Sequence, residues 1–295
     1  MKNIKLILAI TVFLSGCSRF GKKEIDGKKD LRIVCVSKHL TEMIFALGKG
    51  NSIVACDLTS TYPDSAKLLT TVGYHRALNP EGIVSMKPDL VIHSNDIGPA
   101  TVIPQLEKLG LQIKTFGAAN TFDSAKLVLL ELGKFFGAEQ KADSLIAKMD
   151  RDMMHVKEIR DKIVDTPTVM IIHYGQANNN FFVMSGRNGA GDRMIKSAGG
   201  KSAIYDAKGA RQLSAEAIAA ANPDIIIATN FGFDKMGGTI DKFKTVPGVA
   251  LTNAAKNNRI YRFEEHDLVY FGPRTGENVL KLMNFIHPEL NAKAQ

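Results

Sequence analysis

The sequence predicts an α/β fold of two similar lobes with parallel sheets, joined by one long helix. Three observations carry this. First, a fifteen-residue phrase occurs twice: Leu78-Asn79-Pro80-Glu81-Gly82-Ile83-Val84-Ser85-Met86-Lys87-Pro88-Asp89-Leu90-Val91-Ile92 returns as Leu213-Ser214-Ala215-Glu216-Ala217-Ile218-Ala219-Ala220-Ala221-Asn222-Pro223-Asp224-Ile225-Ile226-Ile227. In each copy a cap-forming Asn or Ser precedes a short apolar helix, Pro-Asp stops it, and a β-branched run follows that reads as a buried strand. Second, strand-like and helix-like stretches alternate through both halves, the pattern of a parallel sheet covered on both faces. Third, residues 140–164 run for 25 residues without Gly or Pro between the two copies. Two copies at this spacing are too few and too far apart to stack as a solenoid. Two lobes leave a cleft, and a cleft is a natural ligand site.

The elements follow in order. The N-terminus, Met1-Lys2-Asn3-Ile4-Lys5, is a short positive region, and residues 6–14 are apolar but too short to span a membrane. Leu14-Ser15-Gly16-Cys17 closes this stretch and resembles a bacterial lipobox, which implies cleavage before Cys17 and acylation of its thiol. Residues 1–16 are then a signal peptide. The Gly- and Lys-rich stretch 17–30 reads as a flexible tether over lipid headgroups. The first lobe, 31–139, reads strand (31–37), helix (40–47), strand (53–58), the first repeat with its strand (90–94), helix (100–109) and strand (113–117). Residues 140–164 carry Ala142, Leu145, Ile146, Met149, Met153 and Val156 on a helical stripe. As one helix it would be roughly 37 Å long at about 1.5 Å per residue, enough to run along both lobes. The second lobe, 165–295, opens with a strand (168–174) and continues through the second repeat with its strand (225–229). A last strand (259–263) and a closing helix (275–285) complete it.

Composition narrows the function. At 45% hydrophobic and 23% charged residues, the 295-residue chain has material for a core and no disorder signature. The formal charge is +8, or about +6 without Lys2 and Lys5 of the leader. No Lys/Arg stripe interleaves with aromatics, which argues against nucleic acid. Cys35 and Cys56 sit in strand-like runs, where they either pair or remain buried thiols. There is no GxSxG elbow, HExxH or CxxC, and the glycines of 185–191 miss the dinucleotide fingerprint. The seven histidines show no metal-ligand spacing. An exported enzyme using the same cleft is the rival from another class.

The sharper candidate is Gly73-Tyr74-His75-Arg76, just before the first repeat. Gly73 permits an unusual backbone angle. In an extended segment Tyr74 and Arg76 would share a side, with His75 turned away. A guanidinium beside a phenol favours the phenolate, a hard donor for ferric iron. From spacing alone, a packed Tyr beside a surface Arg is the favoured reading.

Leu40-Thr41-Glu42-Met43-Ile44-Phe45-Ala46-Leu47-Gly48, Tyr62-Pro63 and the two repeats flanking a long helix resemble the substrate-binding proteins of bacterial haem, siderophore and vitamin B12 ABC importers. Within that group, Val72-Gly73-Tyr74-His75-Arg76-Ala77-Leu78-Asn79-Pro80-Glu81-Gly82 is similar to the periplasmic haem-binding proteins, as is Phe271-Gly272-Pro273-Arg274. The resemblance implies a bilobal periplasmic-binding-protein fold and haem as transported ligand, with a ferric siderophore or corrinoid as the alternative. It implies Tyr74 as axial ligand of the haem iron, supported by Arg76. His173, with Tyr174 at the end of the second lobe's first strand, becomes a candidate contact. Arg274 and Arg187 become candidates for haem propionates. Glu81 and Glu216 hold equivalent positions in the repeats. They stabilise helix dipoles, and in related importers such a pair docks onto permease arginines. The partners implied are an ABC permease with its ATPase, and a membrane reached through Cys17. Asn79, where Ser is commoner, and the Asn-rich 178–180 depart from the family pattern.

Overall fold

The computed structural model describes residues 31–175, 179–184, 186–205, 209–212 and 214–290. The leader, Cys17, the tether and Asn178 lie outside them. No described helix is long and apolar enough to cross a membrane.

The first lobe runs β1 (Ile33–Cys35), α1 (Lys38–Ala46), β2 (Ile53–Cys56), β3 (Thr70–Thr71), α2 (Pro80–Ser85), β4 (Leu90–His93), α3 (Val102–Lys108), β5 (Gln112–Thr115) and α4 (Phe122–Phe136). Its sheet is parallel throughout, in the order β3-β2-β1-β4-β5. Helix α5 (Glu139–Arg160) follows. The second lobe contains β6 (Thr168–Gly175), β7 (Asn180–Met184), α6 (Ala190–Ser197), β8 (Lys201–Ser202), β9 (Ala210–Arg211), α7 (Ala215–Ala221), β10 (Ile225–Thr229), α8 (Asn230–Lys235), α9 (Ile240–Phe243), α10 (Asn253–Lys256), β11 (Ile260–Phe263), α11 (Glu265–Val269) and α12 (Thr275–Ile286). Here β11, β10 and β6 are parallel and β8 pairs parallel with β6. The second sheet departs from the wholly parallel expectation at β7, which is antiparallel to both β6 and β9. The chain turns back on itself after Gly175 instead of crossing over through a helix.

The repeated phrase serves as a clip in both lobes. Asn79 caps α2 by accepting from the Glu81 amide, and Ser214 caps α7 by accepting from the Ala217 amide. Lys87 and Asn222, at matching positions, both adopt left-handed backbone (φ 48° and 39°), which turns the chain out of its helix. The Asp of Pro-Asp then fixes the strand beside it. Asp89 Oδ2 accepts from the Arg32 amide at 2.9 Å, just before β1, and Asp224 Oδ2 accepts from the Thr168 amide at 2.9 Å, at the start of β6. Burial opposes charge on Asp224, but the Thr168 bonds hold its carboxyl below the usual range.

Strand alternation divides the core. Ile33 and Cys35 face a cluster shared by both lobes, while Val34 and Val36 face a cluster of the first lobe alone. In β6, Val169 and Ile171 join the shared core, and Met170 and Ile172 pack on the second lobe's outer side. Helix α5 lies between α4 and α12 and contributes Met149 and Val156 to the shared core. Glycine permits the close approach on each flank. A Cβ at Gly133 of α4 would stand 2.6 Å from Ala142, and one at Gly276 of α12 would clash with Asp152. The helix ends at Arg160, short of the expected 164. Beyond Val156 no residue of that stretch is fully buried, and Val164 is 99% exposed. Without a partner face, continuing the helix gains nothing.

Cys35 and Cys56 lie side by side in β1 and β2 as buried free thiols. Burial pushes both up to about 12, so neither is a reactive nucleophile.

Candidate functional site

Ligand contacts in parallel α/β sheets gather at the carboxyl ends of the strands. In the first lobe these ends carry Ser37, Lys38 and His39 after β1, Asp57 after β2, Tyr74 and His75 after β3, and Ser94 and Asp96 after β4. In the second they carry His173, Thr229, Glu265 and His266. The two sets meet. Lys38 Nζ donates to Glu265 Oε2 at 2.6 Å, with both side chains largely buried. The His39 ring stacks on Tyr270, with centroids 5.1 Å apart, and the Tyr270 hydroxyl donates to Asp96 at 3.5 Å. Desolvation by burial and the charge of Asp96 push the Tyr270 phenol far up, so it stays protonated.

Tyr74 stands in a turn of the first lobe. Gly73 has φ 101°, a left-handed value that a Cβ would strain. The Ala77 amide donates to the Tyr74 carbonyl at 2.8 Å, closing a turn over 74–77. The His75 carbonyl accepts from the Gly98 amide at 2.9 Å, which pins that turn to the loop after β4. The segment is therefore bent, and the expected alternation of side chains does not hold. Arg76 Nε donates to His75 Nε2 at 3.3 Å, and no hydrogen bond joins Arg76 to the Tyr74 phenol. The Tyr74 ring packs edge-on against His75, with centroids 4.6 Å apart. Among the described residues the Tyr74 hydroxyl has no hydrogen-bond partner, and neither do the terminal nitrogens of Arg76.

His75 is buried, not turned out, and Asp57 lies behind it. Asp57 Oδ2 is 3.3 Å from His75 Nδ1 and accepts from the Thr59 amide at 3.0 Å and from its hydroxyl. Asp57 Oδ1 accepts from Ser60 at 2.6 Å. Burial opposes this charge, but the bonds from His75, Ser60 and Thr59 hold the carboxyl below its usual range.

His173 lies near the end of β6, half-buried, with Nδ1 3.2 Å from the Thr229 hydroxyl. Burial lowers its pKa, opposed by Glu265 and assisted by Lys38, so the ring is held neutral. Its Nε2 has no hydrogen-bond partner among the described residues. Tyr174 packs inside the second lobe. It is 5% exposed, donates to Asn179 at 3.0 Å and packs on Phe181 beneath Lys235, so it is a packing residue of the second lobe. Arg274 is held by acidic neighbours. It donates to Glu42 at 2.9 and 3.3 Å and to Asp267 at 2.8 Å, and it stacks 3.4 Å from the Tyr62 ring centroid. Two carboxylates thus share its charge. Burial opposes charge on Glu42, but His266 and Arg274 hold its carboxyl below the usual range. Arg187 lies exposed over the Tyr205 ring, 4.6 Å from its centroid.

Glu81 and Glu216 are both exposed at the second position of their helices. A cavity of about 160 Å³ lined by Phe181, Phe182, Ile218 and Pro247 lies in the second lobe and includes neither Tyr74 nor His173. No described group of three or more His, Cys, Asp or Glu is arranged to hold a metal ion. Tyr74 and His173 thus offer single donors, one from each lobe.

A family model described as periplasmic binding protein matches residues 33–266. This chain belongs to that family. The periplasmic binding protein is 28% identical over 264 residues to an ABC transporter substrate-binding lipoprotein, YvrC, of Bacillus subtilis, covering 89% of this chain and 82% of the relative. The periplasmic heme-binding protein RhuT from Roseiflexus sp. RS-1, solved in apo form, is 31% identical with a TM-score of 0.80, covering 88% of this chain and 98% of that one. A vitamin B12-binding protein of Vibrio vulnificus is 35% identical over 82 residues, which is 28% of this chain and 30% of the relative.

Proposed function

We propose that this binding protein is the substrate-binding component of an ABC importer, and that it captures haem in the cleft between its lobes. The observation that carries the reading is the Tyr74 hydroxyl, which has no hydrogen-bond partner among the described residues and lies two positions from Arg76, whose terminal nitrogens likewise have none among them. A single oxygen donor suits haem, because the porphyrin supplies four ligands and leaves axial positions to the protein. Tyr74 is the axial ligand, Arg76 stabilises it as phenolate, and neutral His173 approaches from the second lobe. The likeness to a heme-binding protein over nearly the whole chain supports this choice.

A corrinoid is the second reading, supported by the 82-residue match to a vitamin B12-binding protein. Equilibrium titration separates the two. Ferric haem should saturate the protein with a shifted Soret band, and an equal concentration of cyanocobalamin should leave that band in place. Displacement of haem by cobalamin would favour the corrinoid.

In this reading residues 1–16 are removed, Cys17 is acylated and 17–30 tether the lobes to the membrane. One acyl chain anchors only marginally, so stable attachment needs at least two. Cys17→Ser should therefore move the protein from the membrane fraction to the soluble one, or stop its maturation. A wild-type protein recovered wholly soluble, with no lipid on its N-terminus, would reject the anchor.

A further inference from the structure

We propose that Asp57 and His75 form a positioning pair that holds Arg76 by its Nε and leaves its terminal nitrogens for the ligand, an inference that rests on haem capture by Tyr74. The hydrogen-bond directions decide the arrangement. A guanidinium can only donate, so His75 Nε2, 3.3 Å from Arg76 Nε, must accept. The neutral ring then carries its proton on Nδ1, which faces Asp57 Oδ2 at 3.3 Å, with the Thr59 hydroxyl at 3.4 Å. Asp57 is 1% exposed and accepts from Thr59 and Ser60, so the carboxylate facing His75 cannot swing away. Asp96 Oδ2 lies 3.7 Å from His75 Nε2, outside hydrogen-bond reach, and adds negative charge on the side where Arg76 is held.

The relay runs from a fixed carboxylate through a fixed ring to one nitrogen of an otherwise exposed arginine. An arginine side chain has many rotamers to lose on being held. Holding it by Nε before the ligand arrives removes part of that cost from binding. His75 is not itself an iron ligand, because both of its nitrogens are engaged.

Two measurements test this. In the ligand-free protein, ¹⁵N NMR of the His75 ring should show the proton on Nδ1. A proton on Nε2, or an imidazolium, would overturn the relay even in a protein that binds haem. Ferric haem titration of His75→Phe, which keeps the ring packed on Tyr74, should show affinity weakened by about 10-fold, the scale of groups that orient a metal ligand. In an Arg76→Ala background the same substitution should weaken it no further. Asp57→Ala, which keeps the His75 ring, should repeat both results. Losses that simply add in the double variants would show a local packing role and overturn the proposal. A wild-type protein that binds no haem would overturn the haem reading and this proposal together, and the NMR result would still report whether the relay exists.

Discussion

Tyr74→Phe should weaken ferric haem binding by about 100-fold or more and abolish the phenolate-to-iron charge-transfer band. The substitution keeps the aromatic ring, and with it the edge contact to His75 at 4.6 Å. It removes only an oxygen that bonds to no described residue, so the fold should keep its thermal midpoint. Groups that merely orient a metal ligand cost about 10–100-fold when removed, and losing the ligand itself should cost at least the upper end. Arg76→Ala should do less. Its charge favours the phenolate over the phenol but donates nothing to the iron. His173→Ala should have a smaller effect than Tyr74→Phe, as a contact from the opposite lobe. If Tyr74→Phe bound haem with unchanged spectrum and affinity, the ligand would lie elsewhere, and neutral His173 would become the first candidate.

Glu81→Lys combined with Glu216→Lys should abolish uptake and leave haem binding unchanged. Both carboxylates are exposed, each at the second position of a short helix, one helix per lobe. Dipole stabilisation explains either one, at roughly 0.3–1 kcal/mol. A matched pair on the two lobes is also what a two-fold permease with basic pockets would grip. Removing one partner of a buried interfacial charge pair costs about 2–5 kcal/mol, and reversing it adds repulsion. The measurement is haem-dependent growth or radiolabelled haem uptake, with haem titration of the purified variant as control. Normal uptake by the double variant would reject these residues as the docking pair.

The architecture was legible wherever it was local. The repeated phrase gave two strands and two short helices, because cap, stop and β-branched run sit within fifteen residues. The structure adds what no pattern could show: Asp89 and Asp224 reach across to Arg32 and Thr168, more than fifty residues away. Helix α4 went unread although its signals were present. Thr121 and Ser124 form a capping box and Gly137 ends the helix at φ 61°. The antiparallel β7 was hidden because Phe181-Phe182-Val183 reads the same in either direction.

The site divides in the same way. Tyr74, Glu81 and Glu216 stand out by their immediate neighbours. The contacts between the lobes do not: Lys38 meets Glu265 across 227 positions, and Glu42 meets Arg274 across 232. That distant pairing, which engages Arg274, has no local signal in the sequence. Gly73 was read as a point of backbone freedom. The turn it opens is what spoiled the simple alternation of Tyr74 and Arg76.

Ligation of ferric haem by a Tyr74 phenolate would leave its own vibrational signature. Resonance Raman spectroscopy of the wild-type complex, excited in the charge-transfer band, tests it most directly. An iron-phenolate stretch with enhanced tyrosine ring modes, absent from Tyr74→Phe, is the result predicted. A six-coordinate low-spin spectrum of bis-imidazole type, with no phenolate mode and no change in Tyr74→Phe, would contradict it.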